Sequence, residues 1–384
     1  MRVYAGLSLE KKRLFFSFVS IEKSKIISCI DREQNLPYKG INLGEVIAAN
    51  VDVIKDFISQ QERRYSFRID GVFFRVPKEY AKIKIAEDIV PVSLHRGEKK
   101  LTKKDIQFAK RQIENIVLEL NEHCVHHLVL EYRIGKNAFY SEPLGEWAKN
   151  IFLKSMLIFV DSSLYDTFKD CFDNVDLRFS GFVYESIADY ATMYDDCPNI
   201  HSFIVNIREK DTLLSCFLGR RILFEKIYEL GEDSIIREVS NRIGLPQGII
   251  RSLIANYISF SEIPFEKEIT IKDEDKYFNI SVATINGIVK GVVREKLSEI
   301  VYDIREVPKE DGWRVAFLGV FSGKEGFYDF IKDCFGASIP NINRLSKRHS
   351  SFGCVYYGKR PFFEKDTLEC SFWERMVNIY KEYF

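Results

Sequence analysis

Two short charged runs, Lys11-Lys12-Arg13 and Arg208-Glu209-Lys210-Asp211, are the places in this 384-residue chain where residue type and spacing point to chemistry. Each lies between apolar, β-branched stretches and is expected at the tip of a hairpin. Cations presented there can hold an anion such as phosphate, although an exposed charged turn is the commoner explanation. Gly6 and Ser8 precede the first run, and Asn206 and Thr212 flank the second. A third candidate is the loop 319–326. Its Gly323-Lys324 invites a Walker reading, but Gly319 is one residue too close and Glu325 stands where Ser or Thr is needed. His123, Cys124, His126 and His127 offer metal donors, yet they fall where an expected helix runs into a strand, so the ligands would diverge. No Ser/His/Asp or Cys/His set has a supporting motif, and no catalytic residue is assigned.

The elements that must carry these groups follow from hydrophobic period. Residues 3–7, 14–20 and 25–30 read as strands, with 8–13 joining the first two. Leu43, Val46, Ile47, Val51, Ile54, Phe57 and Ile58 fall on one side of a helix over 43–61, and 67–76 is strand-like. Thr102 with Asp105 forms a capping box. It opens a helix striped by Ile106, Ala109, Ile113, Ile116, Val117 and Leu120 that is expected to end near His123. With strands over 127–134 and 152–160 this makes a small α+β module. A helix over 164–172, a strand over 175–181 and a helix over 183–194 follow. Strands 203–207, 212–218 and 222–228 then lead to Gly231-Glu232-Asp233, which opens a helix bearing Ile235, Ile236, Val239 and Ile243. Beyond it come helices over 247–259 and 285–304, strands over 276–282, 314–318 and 351–358, and a helix ending at Phe335.

Composition narrows the function. Lys+Arg and Asp+Glu are both 56, so net charge is zero, which argues against a surface built to displace counterions from nucleic acid. The eight cysteines are spread singly with no C-x-x-C pair, which favours buried thiols in a reducing compartment over disulfides or zinc. Lys11, Lys12 and Arg13 interrupt the first apolar run before a signal peptide could form. The length allows two to four domains.

The order strand, turn, strand, turn, strand, Gly-led helix over 200–245 resembles the second phosphate site of actin-like ATPases, and most of all that of the bacterial division actin FtsA. The family pattern there is V-D-I-G-G-G-T-T-D-I-A-V-F. Asn206 stands for the first Asp, Arg208, Glu209 and Lys210 for the three glycines, Thr212 is kept, and Leu213 replaces the second Asp. The family's first phosphate loop, G-L-D-I-G-T-S-K, is matched by Gly6 and Leu7. Ser8 replaces its Asp, Glu10 its Gly, and Lys11, Lys12 and Arg13 its Thr-Ser-Lys. The loop 319–326 resembles the adenosine loop T-G-G-G-x-x-x-P-G, with Gly319 and Gly326 kept and Val320 and Phe321 replacing inner glycines. Glu185-Ser186-Ile187-Ala188 resembles E-P-L-A-S, and SFGCVYYG over 351–358 resembles the closing A-V-G-L-L-L-Y-G strand.

This resemblance implies an α/β, two-lobed actin-like ATPase (ribonuclease H-like) fold with a small SHS2-type α+β insertion. The first lobe would be 1–84 and 162–197, and the insertion 85–161. The second lobe would have its core at 198–232 and 306–358 and its outer subdomain at 233–305. A linker over 359–370 would lead to a terminal helix over 371–384. The resemblance also implies ATP with magnesium at Gly6, Ser8, Lys11, Lys12, Arg13, Asn206, Thr212, Gly231, Gly319, Ser322 and Gly326. The substitutions among these make a pseudo-ATPase the expectation. By the same resemblance the chain would be a peripheral protein of the inner membrane face at the division site. It would self-assemble as a dimer or filament, receive the tail of an FtsZ-like polymer, and work beside other division proteins without nucleic acid. The alternatives are a PilM-like cytoplasmic adaptor of a pilus or secretion machine, and an active ATPase with atypical loops.

The last segment supports the membrane reading. Phe372, Trp373, Met376, Val377, Tyr380, Tyr383 and Phe384 share one side of a helix, and Glu374, Arg375, Asn378, Lys381 and Glu382 the other. Fourteen residues span about 20 Å, against roughly 30 Å of hydrocarbon, so such a helix would lie in the interface. The plainer alternative is a terminal helix docked on its own protein.

Overall fold

The computed structural model describes residues 1–10, 13–22, 25–92, 97–193, 200–219, 221–261, 268–273, 276–307, 312–336 and 349–359. The chain divides into two compact units, 1–194 with 348–384, and 195–347.

In the first unit, β1 (Arg2–Glu10), β2 (Arg13–Glu22) and β3 (Lys25–Asn35) form an antiparallel meander. The β1–β2 ladder continues to Glu10↔Arg13, so the segment expected to join the strands is mostly strand itself. Helix α1 (Leu43–Tyr65) starts at Asn42, whose side chain accepts the Glu45 N–H, and it buries Ile47, Ile54 and Ile58. It leads to β4 (Ile69–Val76), which runs parallel to β1.

Strand β5 (Ala81–Pro91) begins an α+β module that also contains β6 (Lys99–Lys100), α2 (Lys103–Val117), β7 (Glu122–Ile134), β8 (Asn137–Phe139), β9 (Trp147–Ala148) and β10 (Asn150–Asp161). Its main sheet has the order β5-β10-β7-β8. Helix α2 packs Ile106, Ala109 and Ile113 into a separate core with Val90, Ile151, Leu153 and Leu157. The Thr102–Asp105 capping box is present, but α2 stops at Val117 rather than near His123. His123 already pairs with Val160 in the β7–β10 ladder, and Ile116 and Leu120 are exposed.

Helix α3 (Ser162–Asp173) and strand β11 (Phe179–Tyr184) return to the first sheet, whose order is β11-β4-β1-β2-β3. The strand expected over 175–181 is thus shifted toward Tyr184, where Phe179 and Phe182 pack around Phe168. Helix α4 (Glu185–Ala191) is buried along its whole length.

The second unit is built on β12 (His201–Ile207), β13 (Thr212–Leu218) and β14 (Arg221–Tyr228), followed by α5 (Glu232–Ile243), α6 (Gln247–Tyr257), β15 (Glu268–Asp273), β16 (Lys276–Ser281), α7 (Val282–Glu306), β17 (Trp313–Gly319) and α8 (Phe327–Phe335). The sheet order is β14-β13-β12-β17, with β17 parallel to β12. Its core joins Phe203, Val205 and Phe317 of the sheet to Ile235, Val239, Val289, Val293 and Phe327 of the helices.

The segment 351–358, expected as a strand of the second lobe, is a helix, α9 (Ser350–Gly358), and it belongs with the first unit. The reason is packing. A Cβ on Gly353 would overlap the Ala188 carbonyl of α4, and one on Gly6 of β1 would overlap the Ser351 carbonyl. Close backbone approach on both sides of α9 fixes it as a rod between strand and helix. Lys11, Lys12, the linker beyond Lys359 and the expected helix 371–384 lie outside the described residues. Among the described residues, no helix is long and apolar enough to cross a membrane.

Candidate functional site

In the second unit, the ends of β12 and β17 and the start of β13 bring several of the expected residues to one edge of the sheet. Ile207 is paired with Thr212 on one side and Gly319 on the other. The turn 208–211 closes on itself: the Arg208 N–H donates to the Asp211 carbonyl at 2.8 Å, and Arg208 Nε donates to Asp211 Oδ1 at 2.6 Å. It then folds onto the start of α5, whose first N–H groups would otherwise be free to meet an anion. The Glu232 N–H donates to the Arg208 carbonyl (3.0 Å), and the Asp233 N–H to the Glu209 carbonyl (2.9 Å). The Gly231 N–H donates to Ser234 Oγ (2.9 Å). A Cβ on Gly231 would overlap the turn backbone at Glu209, Lys210 and Asp211. Thr212 Oγ1 donates to the Leu230 carbonyl, at 2.5 Å. Arg251 of α6 bonds Asp233 at 2.6 Å and lies within 3.9 Å of Glu209 and 3.8 Å of Glu232.

The loop after β17 is equally filled. Gly319 has φ +90° and abuts the Ile207 carbonyl, which the Val320 N–H reaches at 3.0 Å. Ser322 bonds back to the Gly319 carbonyl through both its N–H (3.2 Å) and its Oγ (2.9 Å). Phe321 is fully buried, packed edge-on to Phe260. Gly326, with φ +73°, leaves no room for a Cβ beside Ser261 and starts α8. Lys324 Nζ caps the Ala255 carbonyl near the end of α6 at 2.7 Å. An open surface cavity of about 410 Å³ lies elsewhere in this unit, lined by Lys226, Ser298, Glu299, Tyr302 and Asp303, and none of the expected residues borders it.

In the first unit, Gly6 and Ser8 sit within β1, under the N-terminal end of α9. Ser8 is fully buried, and its Oγ has no hydrogen-bond partner among the described residues. Opposite Gly6, Ser17 Oγ donates to Asp31 (2.5 Å) and lies 2.7 Å from Ser351 Oγ. The His349 ring stacks on Phe15 at 4.0 Å between centroids. Its Nδ1 accepts the Ser351 N–H, so the ring proton on Nε2 points to Glu10, 3.0 Å away. Arg13 pairs at 3.6 Å with Glu33 in solvent.

Behind this hairpin lies a charge cluster that the sequence did not signal. Arg75 of β4 grips Asp189 of α4 with two parallel bonds, 3.2 and 3.1 Å, and its Nη2 is 3.5 Å from Glu185. All three side chains are buried. Burial works against the Arg75 charge, but Asp189, Glu185 and Glu10 outweigh it and hold the guanidinium above its ordinary value. Glu185, the acid that matches E-P-L-A-S, is therefore engaged with a cation. Arg75 and Asp189 are 114 positions apart, and no local pattern joins them.

The histidine run lies along β7, and each member has its own neighbour. His123 stacks on Tyr165, His126 Nε2 accepts the Tyr184 N–H (2.9 Å), and His127 lies between Glu114 (2.8 Å) and Ser155 (2.9 Å). Burial pushes His126 down to about 3, so its ring is neutral. Among the described residues no group of three His, Cys, Asp or Glu is placed to hold a metal.

Nucleotide phosphate with magnesium, the group the resemblance implies, does not fit these residues. Arg208, Glu209 and Lys210 put side chains where the pattern has three glycines, and the Arg208 N–H and the first N–H groups of α5 are bonded within the closed turn. Acidic Glu209, Glu232 and Asp233 lie beside it, and Ser8, Asn206 and Leu213 stand where the pattern has carboxylates or their neighbours for the metal's water.

No family model matches the sequence, and no curated protein does. The fold is that of the actin-like ATPases, and it is shown by solved structures. A chain of the PilM–PilN type IV pilus biogenesis complex superposes with a TM-score of 0.56 and 13% identity, covering 92% of this chain and 98% of that one. The nucleotide-free diol dehydratase-reactivating factor gives 0.51 at 8% identity over 94% and 100%. The ethanolamine utilization protein EutJ from Carboxydothermus hydrogenoformans gives 0.50 at 8% over 92% and 89%. Identities this low carry the fold and not the FtsA family.

Proposed function

We propose that the chain is a non-hydrolysing actin-fold scaffold that holds a protein assembly at the cytoplasmic face of a membrane. One observation carries the first half: the turn 208–211, which stands at the family's second phosphate loop, has its Arg208 and Glu209 carbonyls accepting from the first N–H groups of α5, and is closed on the chain itself. Hydrolysis rests on positioned charge and metal, and neither has a place in that arrangement. The likeness to a chain of the PilM–PilN complex, over nearly the whole length of both, supports an adaptor of the PilM kind, with the α+β module answering to the SHS2-type insertion. The second reading, an FtsA-like tether of an FtsZ-like polymer at the septum, is favoured by the apolar stripe Phe372, Trp373, Met376, Val377, Tyr380, Tyr383 and Phe384. Many weakly held copies in one assembly would attach firmly through multivalency.

Isothermal titration with ATP and magnesium is expected to give no binding heat, and tight binding would end the scaffold reading. Co-sedimentation with anionic vesicles, comparing the full chain with a truncation after Gly358, tests the membrane half. The full chain should pellet and the truncation should not.

A further inference from the structure

The sheet of the α+β module ends on one side in β8, three residues long, and on the other in β5, eleven residues long. Natural sheets guard their open edges with short strands or charged side chains. β8 follows the first device. The outermost strand β3 of the other sheet follows the second, with Asp31, Arg32 and Glu33. β5 follows neither. On its face away from α2 it presents Ile83, Ile85 and Ile89, which are 37%, 60% and 61% exposed. The Ile89 N–H donates to the side chain of its neighbour Asp88 at 2.7 Å, so it points away from β10. By the alternation of an antiparallel ladder, Ile83, Ile85 and Glu87 also aim their N–H and C=O groups at the open side. Helix α2 adds apolar surface there. Its Glu114 reaches His127 of β7, while exposed Ile116 lies about 160° round the helix, on the β5 side.

We infer that β5 pairs antiparallel with β5 of a second copy of this chain, about a two-fold axis through Ala86, joining the two module sheets into one. The charge order of the strand selects this partner. Lys82 and Lys84 occupy its first half, Glu87 and Asp88 its second. Antiparallel superposition lays basic half on acidic half twice, whereas parallel pairing would lay like on like. Full overlap of Ala81–Pro91 puts its midpoint, Ala86, opposite itself. Ile83 then faces Ile89, and Lys84 faces Asp88. A small residue suits the axis, where Cα atoms in a non-hydrogen-bonded pair approach to about 4.5 Å. Within the module Lys84 also bonds Glu122 (2.7 Å) and Glu87 pairs with Lys154 (2.5 Å), so selection falls mainly to Lys82, Asp88 and the isoleucines. The pairing deepens the scaffold reading and rests on it only for its purpose. The tests are separate, since molar mass reports the pairing while nucleotide and vesicle binding report the scaffold.

Sedimentation equilibrium of the full chain over a wide concentration range is expected to show a monomer–dimer equilibrium. Ile83→Glu or Ile89→Lys alone should weaken it at least about tenfold, because each change occurs twice across the axis. Combining both changes in one chain should restore dimerisation, since the new opposite charges then meet. Both positions are solvent-exposed, and unchanged thermal unfolding will show that the fold is intact. A wild-type chain that stays monomeric overturns the inference, whether residues 360–384 or another protein covers the edge. A dimer indifferent to the single changes, or a double variant no better than either, overturns it as well.

Discussion

The hairpins β1–β2 and β12–β13 are built alike and closed differently. In both, a glycine that the actin-like pattern would assign to phosphate lies against the chain's own carbonyl groups, Gly6 against Ser351 and Gly231 against Glu209. A glycine can thus remain in place for backbone packing after an anion site has gone. The closures differ in depth. The first lies under helix α9 and beside the buried Arg75–Asp189–Glu185 cluster. The second is at the surface, and its ion pair Arg251–Asp233 is 45% and 44% exposed. Disruption should therefore be costly in the first unit and mild in the second.

Arg75→Met gives the largest expected effect. It leaves two buried carboxylates without their cation and should destabilise the first unit by about 3–5 kcal/mol, read from urea unfolding or hydrogen exchange of its strands. An unchanged midpoint would erase the contrast. Gly6→Ala should follow at about 2–3 kcal/mol, because the obstructing carbonyl belongs to a packed helix. Gly231→Ala should cost about 1–2 kcal/mol, because a surface turn can yield. Equal losses would show that depth is irrelevant.

Acid should separate the units too. His126 is held down to about 3 by burial, whereas the unfolded ring titrates near its ordinary 6.5. Between these values the unfolded chain binds the extra proton. Stability is therefore complete above about 6.5 and falls as pH drops toward 3, by at most about 1.4 kcal/mol per pH unit. His126→Gln, which keeps an acceptor for the Tyr184 N–H, should flatten that slope. The second closure, 208–211 with 231–233, contains no histidine, so His126→Gln should leave its unfolding unchanged. The smallest effect is expected for Arg251→Ala, within about 0.5 kcal/mol, since half-exposed ion pairs contribute little.

Much of this is legible in the sequence. The charged turn, the three strands around it and the Gly-led helix α5 each rest on local signals, namely period, turn residues and a cap. Two misreadings have physical causes. Cys354-Val355-Tyr356-Tyr357 has strand propensity, but the close contacts of Gly6 and Gly353 make α9 a helix, so packing overrode propensity. β5 escaped notice because Glu87-Asp88 breaks the alternation set by Ile83-Lys84-Ile85. The substitutions at Ser8, Asn206 and Leu213 were legible, and the bonds from α5 to the turn were not, since they join backbone groups. The Arg75 cluster, assembled from distant positions, left no trace in the spacing.

One consequence concerns synthesis. Ser17 and Ser351 touch across 334 positions, and Gly6 lies against the helix that carries Ser351. As the chain leaves the ribosome, the opening meander must wait, its α9-facing side uncovered, while the contiguous second unit emerges and can fold. Strands made more than 300 residues before α9 are thus among the last to be covered, and a nascent chain halted before residue 350 would expose them to chaperones or proteases.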